Sequence, residues 1–424
     1  MRKHLHSLLA LLISIPATAS ITGVVINSDG QPIAGAKVSI YAPETIEAHR
    51  LRLVSAKPDR TALSSMNTDS KGTFNFESPK DQRVVDLTIE ANGYAPDAMR
   101  LLADDEAGAI ALLAAPMQRG TITASGKAVA GATVVWMGNS SDFLSKTDAE
   151  GHYSVPDPSK WANRLIIVHP DYAIVDETLP FRTAPKLDRT LNTGVTIKGR
   201  VVSEDGKTAV AKAPLLIDDF PLAVTGDDGT FTITHAPANW QELQTRSGNL
   251  AGVRARVTAD AAVNIRLVRS GRITGTVRDA KTQLPLASAE VRLAPEMQFS
   301  MRVRGFNAAG APSAIESVLT DAKGNFTLSV PASRYRLAAL YPGSTVANAS
   351  ISVTAGQTVN KTMYPAARAR VSGVVANEDR RPVAGARLIA APLRDGGGPM
   401  MLGPAMRFQQ DMTAFSGPDG RFVL

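Results

Sequence analysis

Five times along this chain a short phrase recurs that can fold in very few ways: Thr, Asp, two variable residues, Gly, one more residue, then an aromatic. It is clearest at Leu319-Thr320-Asp321-Ala322-Lys323-Gly324-Asn325-Phe326-Thr327-Leu328. Two close copies are Thr68-Asp69-Ser70-Lys71-Gly72-Thr73-Phe74 and Thr147-Asp148-Ala149-Glu150-Gly151-His152-Tyr153. Two looser ones are Thr225-Gly226-Asp227-Asp228-Gly229-Thr230-Phe231 and Ser416-Gly417-Pro418-Asp419-Gly420-Arg421-Phe422. Asp accepts hydrogen bonds from backbone N–H groups just ahead of it and nucleates a turn. Gly closes the turn with a positive φ that a Cβ would oppose. The aromatic opens a returning strand. Phe326, Leu328 and Val330 then alternate with Asn325, Thr327 and Ser329, which predicts one buried face and one wet face. Asp and Gly also occur in calcium loops, but such a site takes six to eight oxygens. Each copy here offers only one to three carboxylates, so the phrase is assigned to turn chemistry.

A second phrase precedes each turn. In the first copy Gly23-Val24-Val25 leads through Gln31-Pro32-Ile33-Ala34-Gly35-Ala36 to Lys37-Val38-Ser39-Ile40. The fifth runs Gly373-Val374-Val375, Arg381-Pro382-Val383-Ala384-Gly385-Ala386, Arg387-Leu388-Ile389. The fourth runs Gly275-Thr276-Val277, Leu284-Pro285-Leu286-Ala287-Ser288-Ala289, Glu290-Val291-Arg292-Leu293. The second (Ala128 to Val135) lacks the Pro, and the third (Ala209 to Leu216) departs furthest. Each reads as strand, turn, strand. Behind the turn comes an alternating strand ending in an aromatic, as in Val85 to Tyr94, Leu165 to Tyr172 and Tyr335 to Tyr341. A closing strand then feeds the next unit directly, as in Val263-Asn264-Ile265-Arg266-Leu267 before Gly271.

The period, roughly 75 to 100 residues, is too long for a solenoid repeat and suits a small self-contained domain. The expected fold class is all-β: a tandem array of about five small seven-stranded β-sandwiches of Greek-key type, the last incomplete. The boundaries read as a signal peptide at 1–20, then sandwiches at 21–116, 117–192, 193–268, 269–367 and 368–424. No Gly/Ser-rich or Pro-rich tether separates them. Short junctions predict beads stacked end to end, spanning on the order of 150 Å if extended.

Three units carry insertions between the second strand and the turn: Pro43 to Asn67, Pro295 to Val318 and Pro392 to Thr413. The expected form is a tolerated surface loop. The alternative is a contact surface, because the later two carry Met297, Met301, Arg302 and Arg304, and Met400, Met401, Met406 and Arg407, residues suited to adaptable contacts.

The N-terminus reads as an export signal. Arg2 and Lys3 form a basic start, Leu8 to Ile15 a short apolar run, and Ala17-Thr18-Ala19 a cleavage site. The apolar run is too short to span a bilayer. The expected location is therefore exported: periplasmic, or extracellular at the cell surface. The formal charge is +7, of which Arg2 and Lys3 contribute two, leaving +5 after cleavage. Those charges are scattered, without the basic stripe of a nucleic-acid binder. The chain has no cysteine, so neither disulfides nor thiol chemistry is available. Aromatics make up only 5% of residues, so each must carry much of its local core.

Strand, Pro-x-x-Gly-Ala, strand, Thr-Asp-x-x-Gly-x-Phe and a strand ending Gly-Tyr together resemble the carboxypeptidase regulatory-like domain, a transthyretin-like β-sandwich. The first unit matches best, through Pro32, Gly35, Ala36, Thr68, Asp69, Gly72, Phe74, Gly93 and Tyr94. The resemblance implies seven-stranded, two-sheet domains that accompany catalytic, receptor or envelope modules and carry no chemistry of their own. The similar starch-binding-like sandwiches bind sugars.

The search for chemistry gives no catalytic, cofactor-binding or metal-binding residue and no cofactor. His49, His152, His169 and His235 fall in unrelated contexts, with no metalloprotease helix. No Gly-x-Ser-x-Gly elbow occurs, and Gly396-Gly397-Gly398 is not followed by Lys-Ser/Thr. Trp136 lies in an alternating strand and is assigned to the core, whereas Trp161 and Trp240 follow turns and are candidate platforms for stacking on sugars. Lys37, considered for an isopeptide crosslink, is placed on a strand facing solvent. The functional expectation is an exported, non-enzymatic scaffold or binding protein of the cell envelope, its partner an envelope protein or polysaccharide. The alternatives are a carbohydrate-binding protein and the accessory N-terminal region of a larger envelope enzyme or receptor.

Overall fold

The structure is a computed structural model, and it describes residues 19–55, 59–138, 141–179, 185–217, 220–238, 243–251, 262–296, 316–390 and 413–424. Residues 1–18 of the proposed signal segment, Trp240 and the Met/Arg-rich parts of the two later insertions lie outside these residues. The fold is all-β, built as tandem two-sheet units; among the described residues there is one α-helix and one 3-10 turn.

The first unit sets the pattern. Its strands are β1 (Ser20–Asn27), β2 (Lys37–Tyr41), β3 (Ser64–Asn67), β4 (Thr73–Glu77), β5 (Val84–Glu90), β6 (Asp97–Leu102) and β7 (Glu106–Leu112), with helix α1 (Ile46–Leu53) between β2 and β3. One sheet places β1 between antiparallel β4 and parallel β7. The other is fully antiparallel in the order β3-β2-β5-β6. The two inner faces close on Ile21, Val25, Val38, Ile40, Phe74, Leu87 and Ile89, all buried. Along β4 buried Phe74 and Phe76 alternate with exposed Thr73, Asn75 and Glu77. The same alternation holds over Phe326, Leu328 and Val330.

Three- plus four-stranded pairs of sheets recur in the second and fourth units. The parallel closing strand recurs as Arg189–Thr190, Val263–Arg266 and Thr358–Met363 in the second, third and fourth. The third unit has two three-stranded sheets. Described residues of the fifth form two pairs, Ser372–Val374 with Arg421–Val423 and Arg387–Ile389 with Thr413–Phe415. Val371, at the position of Ile21 and Ile273, is 52% exposed where those two are fully buried.

The two repeated phrases prove to be halves of one tertiary motif. The Thr68 hydroxyl donates to the Ile33 carbonyl (2.7 Å) and accepts from the Ala36 N–H (2.9 Å), tying the turn to the Pro-x-x-Gly-Ala bend. Thr147, Thr225, Thr320 and Ser416 make the same pair of bonds, to Val129 and Ala132, Val210 and Ala213, Leu286 and Ala289, and Val383 and Ala386. Gly72, Gly151, Gly229, Gly324 and Gly420 all have φ between +72° and +77°. At each, a Cβ would also stand 2.4–2.6 Å from a carbonyl oxygen of the unit's first strand. The aromatic then pairs across the ladder with the Gly of the Gly-Val-Val phrase: Gly23 with Phe74, Gly275 with Phe326, Gly373 with Phe422. The ring lies over that glycine so closely that a Cβ at Gly23 would sit 2.5 Å from Phe74.

In the turns, Asp69 accepts from the N–H groups of Lys71 and Thr73, and Asp321 from those of Lys323 and Asn325. The Thr73 hydroxyl, with these N–H bonds, holds the Asp69 carboxyl below the usual range, and the Asn325 N–H and side-chain amide hold that of Asp321 below it. The third and fifth copies share one variant. Gly226 and Gly417 occupy the Asp position, and Asp228 and Asp419 cap the turn from two residues further on. What looks like decay in the sequence is a second way of satisfying the N–H group at the position of Thr73.

The arrangement of the units differs from the expected end-to-end string. A string would make contacts only between consecutive members. Here the first unit touches the third through α1, the fourth through α1 and β6, and the fifth through β7. Phe415 pairs with Ala109 of β7, so that the fifth unit extends a sheet of the first. Arg370 bridges Asp105 and Glu106 at 3.3 Å each, and the Gly30 and Gly385 turns meet backbone to backbone. For the second, third and fourth units the physical reason is the first insertion, which supplies a surface that all three share.

Candidate functional site

The first insertion is not the surface loop that the sequence suggests. Thr45 caps α1 by accepting from the Ala48 N–H, Glu47 sits in the first turn, and Arg50 and Arg52 sit in the last, each favourable to the helix dipole. Eight residues are too few to be stable alone; docking holds the helix. Its buried Leu53 joins Val135, Ile166 and Ile174 of the second unit and Phe220 of the third in one apolar cluster. At its N-terminal end Ile46 N–H donates to the Ser317 hydroxyl (2.8 Å), and the Glu47 carboxylate accepts from the Ser317 N–H (3.0 Å). Four units therefore converge on one helix.

A chain of ion pairs runs beside it. Arg52 grips Glu44 through Nε (2.9 Å) and Nη2 (3.1 Å). His49 lies between Glu44 (3.5 Å) and Asp142 of the second unit (3.1 Å). Arg60 reaches Glu44 and Asp86 and covers the Tyr41 ring at 4.5 Å. Arg100 on β6 binds Asp86 (2.6 Å) and Glu290 of the fourth unit (2.8 Å), and Arg292 closes on the same Glu290. Arg246 of the third unit pairs with Glu316 of the fourth. Burial opposes ionisation of Glu44, but hydrogen bonds from His49 and Arg52 outweigh it and hold the carboxyl down to about 2. Burial likewise favours the neutral form of His49, yet its bonds to Asp142 and Glu44 raise it to about 8. Burial pushes the Glu316 carboxyl up despite Arg246.

This constellation suits assembly rather than bond-breaking. The two carboxylates beside His49 address different ring nitrogens, so they do not converge on a single ion. Among the described residues no group of three or more His, Cys, Asp or Glu is placed to hold a metal. The other histidines are apart from it. His152 contacts Thr121, His169 packs at a tilt against Tyr172 with centroids 5.1 Å apart, and His235 meets the Thr193 carbonyl. Trp136 is fully buried, as expected of a core residue. Trp161 is half-buried against the second core, and its indole N–H donates to the Asp157 carbonyl (2.8 Å), so it is not the open platform that sugar stacking requires. Lys37 is exposed on β2, cross-strand from Glu90.

A separate cleft of about 260 Å³ opens where the first and second units meet. Tyr94, Phe143 and Met117 give it an apolar wall, and Lys37, Glu90 and Asn92 a polar one. Sequence reasoning passed over the helix, the ion pairs and this cleft. Each is assembled from residues far apart in the chain, and only the capping signal of Thr45 was there to be read.

Among the described residues, no helix is long and apolar enough to cross a membrane. No curated protein matches the sequence. Several solved structures align over parts of the chain. The TIE protein of Bacillus anthracis is 10% identical over 78% of this chain and 68% of that one, with a TM-score of 0.19. The minor pilin GBS52 of Streptococcus agalactiae is 13% identical over 42% and 97%, with a TM-score of 0.20. Catechol 1,2-dioxygenase of Acinetobacter radioresistens is 11% identical over 24% and 53%, with a TM-score of 0.18. Superpositions this loose carry no functional argument. The family model for the carboxypeptidase regulatory-like domain matches residues 272–364, the stretch that carries the Thr320 turn, the Gly275–Phe326 pair and the parallel closing strand. Residues 272–364 are therefore a carboxypeptidase regulatory-like domain, set in a chain of tandem β-sandwiches.

Proposed function

We propose that this chain is an exported, non-catalytic scaffold or binding protein of the cell envelope, built from the blocks 21–116, 117–192, 193–268, 269–367 and 368–424. One observation carries the reading. The residues that recur five times are all spent on construction: the hydroxyl bridge, the positive-φ glycine and the glycine under the aromatic ring. The inserted helix is spent on docking units together. A reactive site would need polar residues held in place but left without such structural partners. Export rests on the Arg2–Ala19 segment. Expression in a bacterial host with fractionation and N-terminal sequencing tests it, and cleavage after Ala19 is expected. An uncleaved product retained in the cytoplasm would refute export. Hydrolysis by the purified chain that a single substitution abolishes would refute the non-catalytic part.

The cleft beside Tyr94 favours a second reading, carbohydrate binding. An aromatic face next to hydrogen-bonding side chains is what a sugar ring requires. Titration with envelope glycans, comparing wild type with Tyr94→Ala and Phe143→Ala, decides it: binding that both substitutions leave unchanged would exclude this cleft.

A further inference from the structure

We propose that His49 is a proton-controlled pin between the first and second sandwiches, tightening their contact when doubly protonated and loosening it when neutral. This is independent of the scaffold reading. His49 stands on α1, the element on which four units converge, and its ring is mostly covered, with 22% of the side chain exposed. Its own unit presents Glu44 and Arg52 to it, with Arg60 behind Glu44. The second unit presents Asp142. Among the described residues the third contributes the apolar Phe220 and Leu222 to the cluster around the same helix, with Arg164 of the second lying over the Phe220 ring at 5.8 Å. Glu47, on the same helix, is engaged by Ser317 of the fourth.

The two protonation states differ in what they join. In the neutral ring Nε2–H donates to Asp142, and Nδ1 accepts from Arg52, whose Nη2 is 2.9 Å away. A second proton on Nδ1 turns that nitrogen to Glu44 and leaves Arg52 to the carboxylate it already grips through Nε and Nη2. Only the imidazolium puts a positive charge opposite Asp142, across the boundary between units, where water is largely excluded and an ion pair counts for more. The sign follows from the direction of the shift. A histidine raised from 6.5 to about 8 adds stability that is full below about 6.5 and fades as pH rises through about 8.

The chain has no cysteine, so a double variant takes two labels cleanly. Ser70→Cys and Glu150→Cys place one spin label on the exposed turn of each sandwich. Pulsed electron–electron distances are measured on the full chain from pH 5.5 to 9.5. A narrow distribution at pH 6 should broaden or lengthen with a midpoint near 8, the docked-to-undocked ratio falling on the order of tenfold. His49→Gln, which keeps the neutral ring's hydrogen bonds, should hold the alkaline distribution at every pH, and Asp142→Asn should flatten the profile. A wild-type distribution unchanged between pH 6 and 9.5 would overturn the proposal, as would a His49→Gln profile that keeps the midpoint. Ring-proton titration by NMR in the unsubstituted chain guards against misfolded variants: a measured His49 pKa at or below 6.5 also overturns it.

Discussion

Replacing Thr320 by Val tests the motif on which every unit depends. The two side chains have nearly the same shape, so the change removes a hydroxyl and leaves packing alone. That hydroxyl is buried, donating to the Leu286 carbonyl at 2.6 Å and accepting from the Ala289 N–H at 2.9 Å. Valine would strand one buried acceptor and one buried donor. Each costs about 1–3 kcal/mol, so a loss of about 2–4 kcal/mol is expected after local relaxation. Thr320→Ser keeps both bonds and deletes one methyl, at about 1 kcal/mol. The fifth unit already carries that choice at Ser416. The informative quantity is therefore the difference between the two variants, about 1–3 kcal/mol against valine, although valine is the more hydrophobic. A chain of several units does not unfold as a single two-state system. The assay is hydrogen exchange by mass spectrometry on peptides spanning 271–295 and 316–330 in the full chain. Two kcal/mol corresponds to roughly thirtyfold faster exchange. If the valine and serine variants exchange within about twofold of one another, the hydroxyl bridge does not hold the hairpin to the bend, and the account of the repeat is wrong.

Other outcomes follow from the same contacts. Gly275→Ala would place a Cβ 1.9 Å from the Lys361 carbonyl oxygen and 2.7 Å from the Phe326 ring. A loss of about 3 kcal/mol or more is expected, seen as rapid proteolysis of the fourth unit; an unchanged digestion pattern would contradict that packing. Leu53→Ala should cost about 2–5 kcal/mol in the shared cluster and expose the junctions of the first three units to protease while their own sheets stay protected. Glu44 is held down to about 2 by His49 and Arg52, so its contribution is present above about 4.5 and lost as pH falls towards 2. Hydrogen exchange of peptides covering α1 should quicken over that interval, and Glu44→Gln should remove that step.

The hairpins were legible because everything they need lies within a few residues. Asp321, Gly324 and Phe326 specify turn, φ and strand start without help from elsewhere. The wet and dry faces of the returning strand follow from the alternation after Phe326. The sandwich pairing was legible too, since the two repeated phrases always occur together. That they are bound through a hydroxyl in all five copies was not, because a Thr reads as an ordinary strand residue until its partners are seen. The equivalence of the third and fifth turns was hidden for a similar reason: Asp228 and Asp419 serve the N–H at the Thr73 position from a shifted place, which a motif aligned by residue number scores as decay.

The sequence alone determined the kind of block and how often it repeats, because turn chemistry and two-residue alternation act over short spans of chain. Only the tertiary structure decided how the blocks stand together. Helix α1 has a single buried residue and no apolar stripe of its own. Its partners Asp142, Phe220 and Ser317 lie about 90 to 270 residues away. Burial and ion pairing depend on distance in space, and no local pattern in the first insertion records which distant surfaces will close on it.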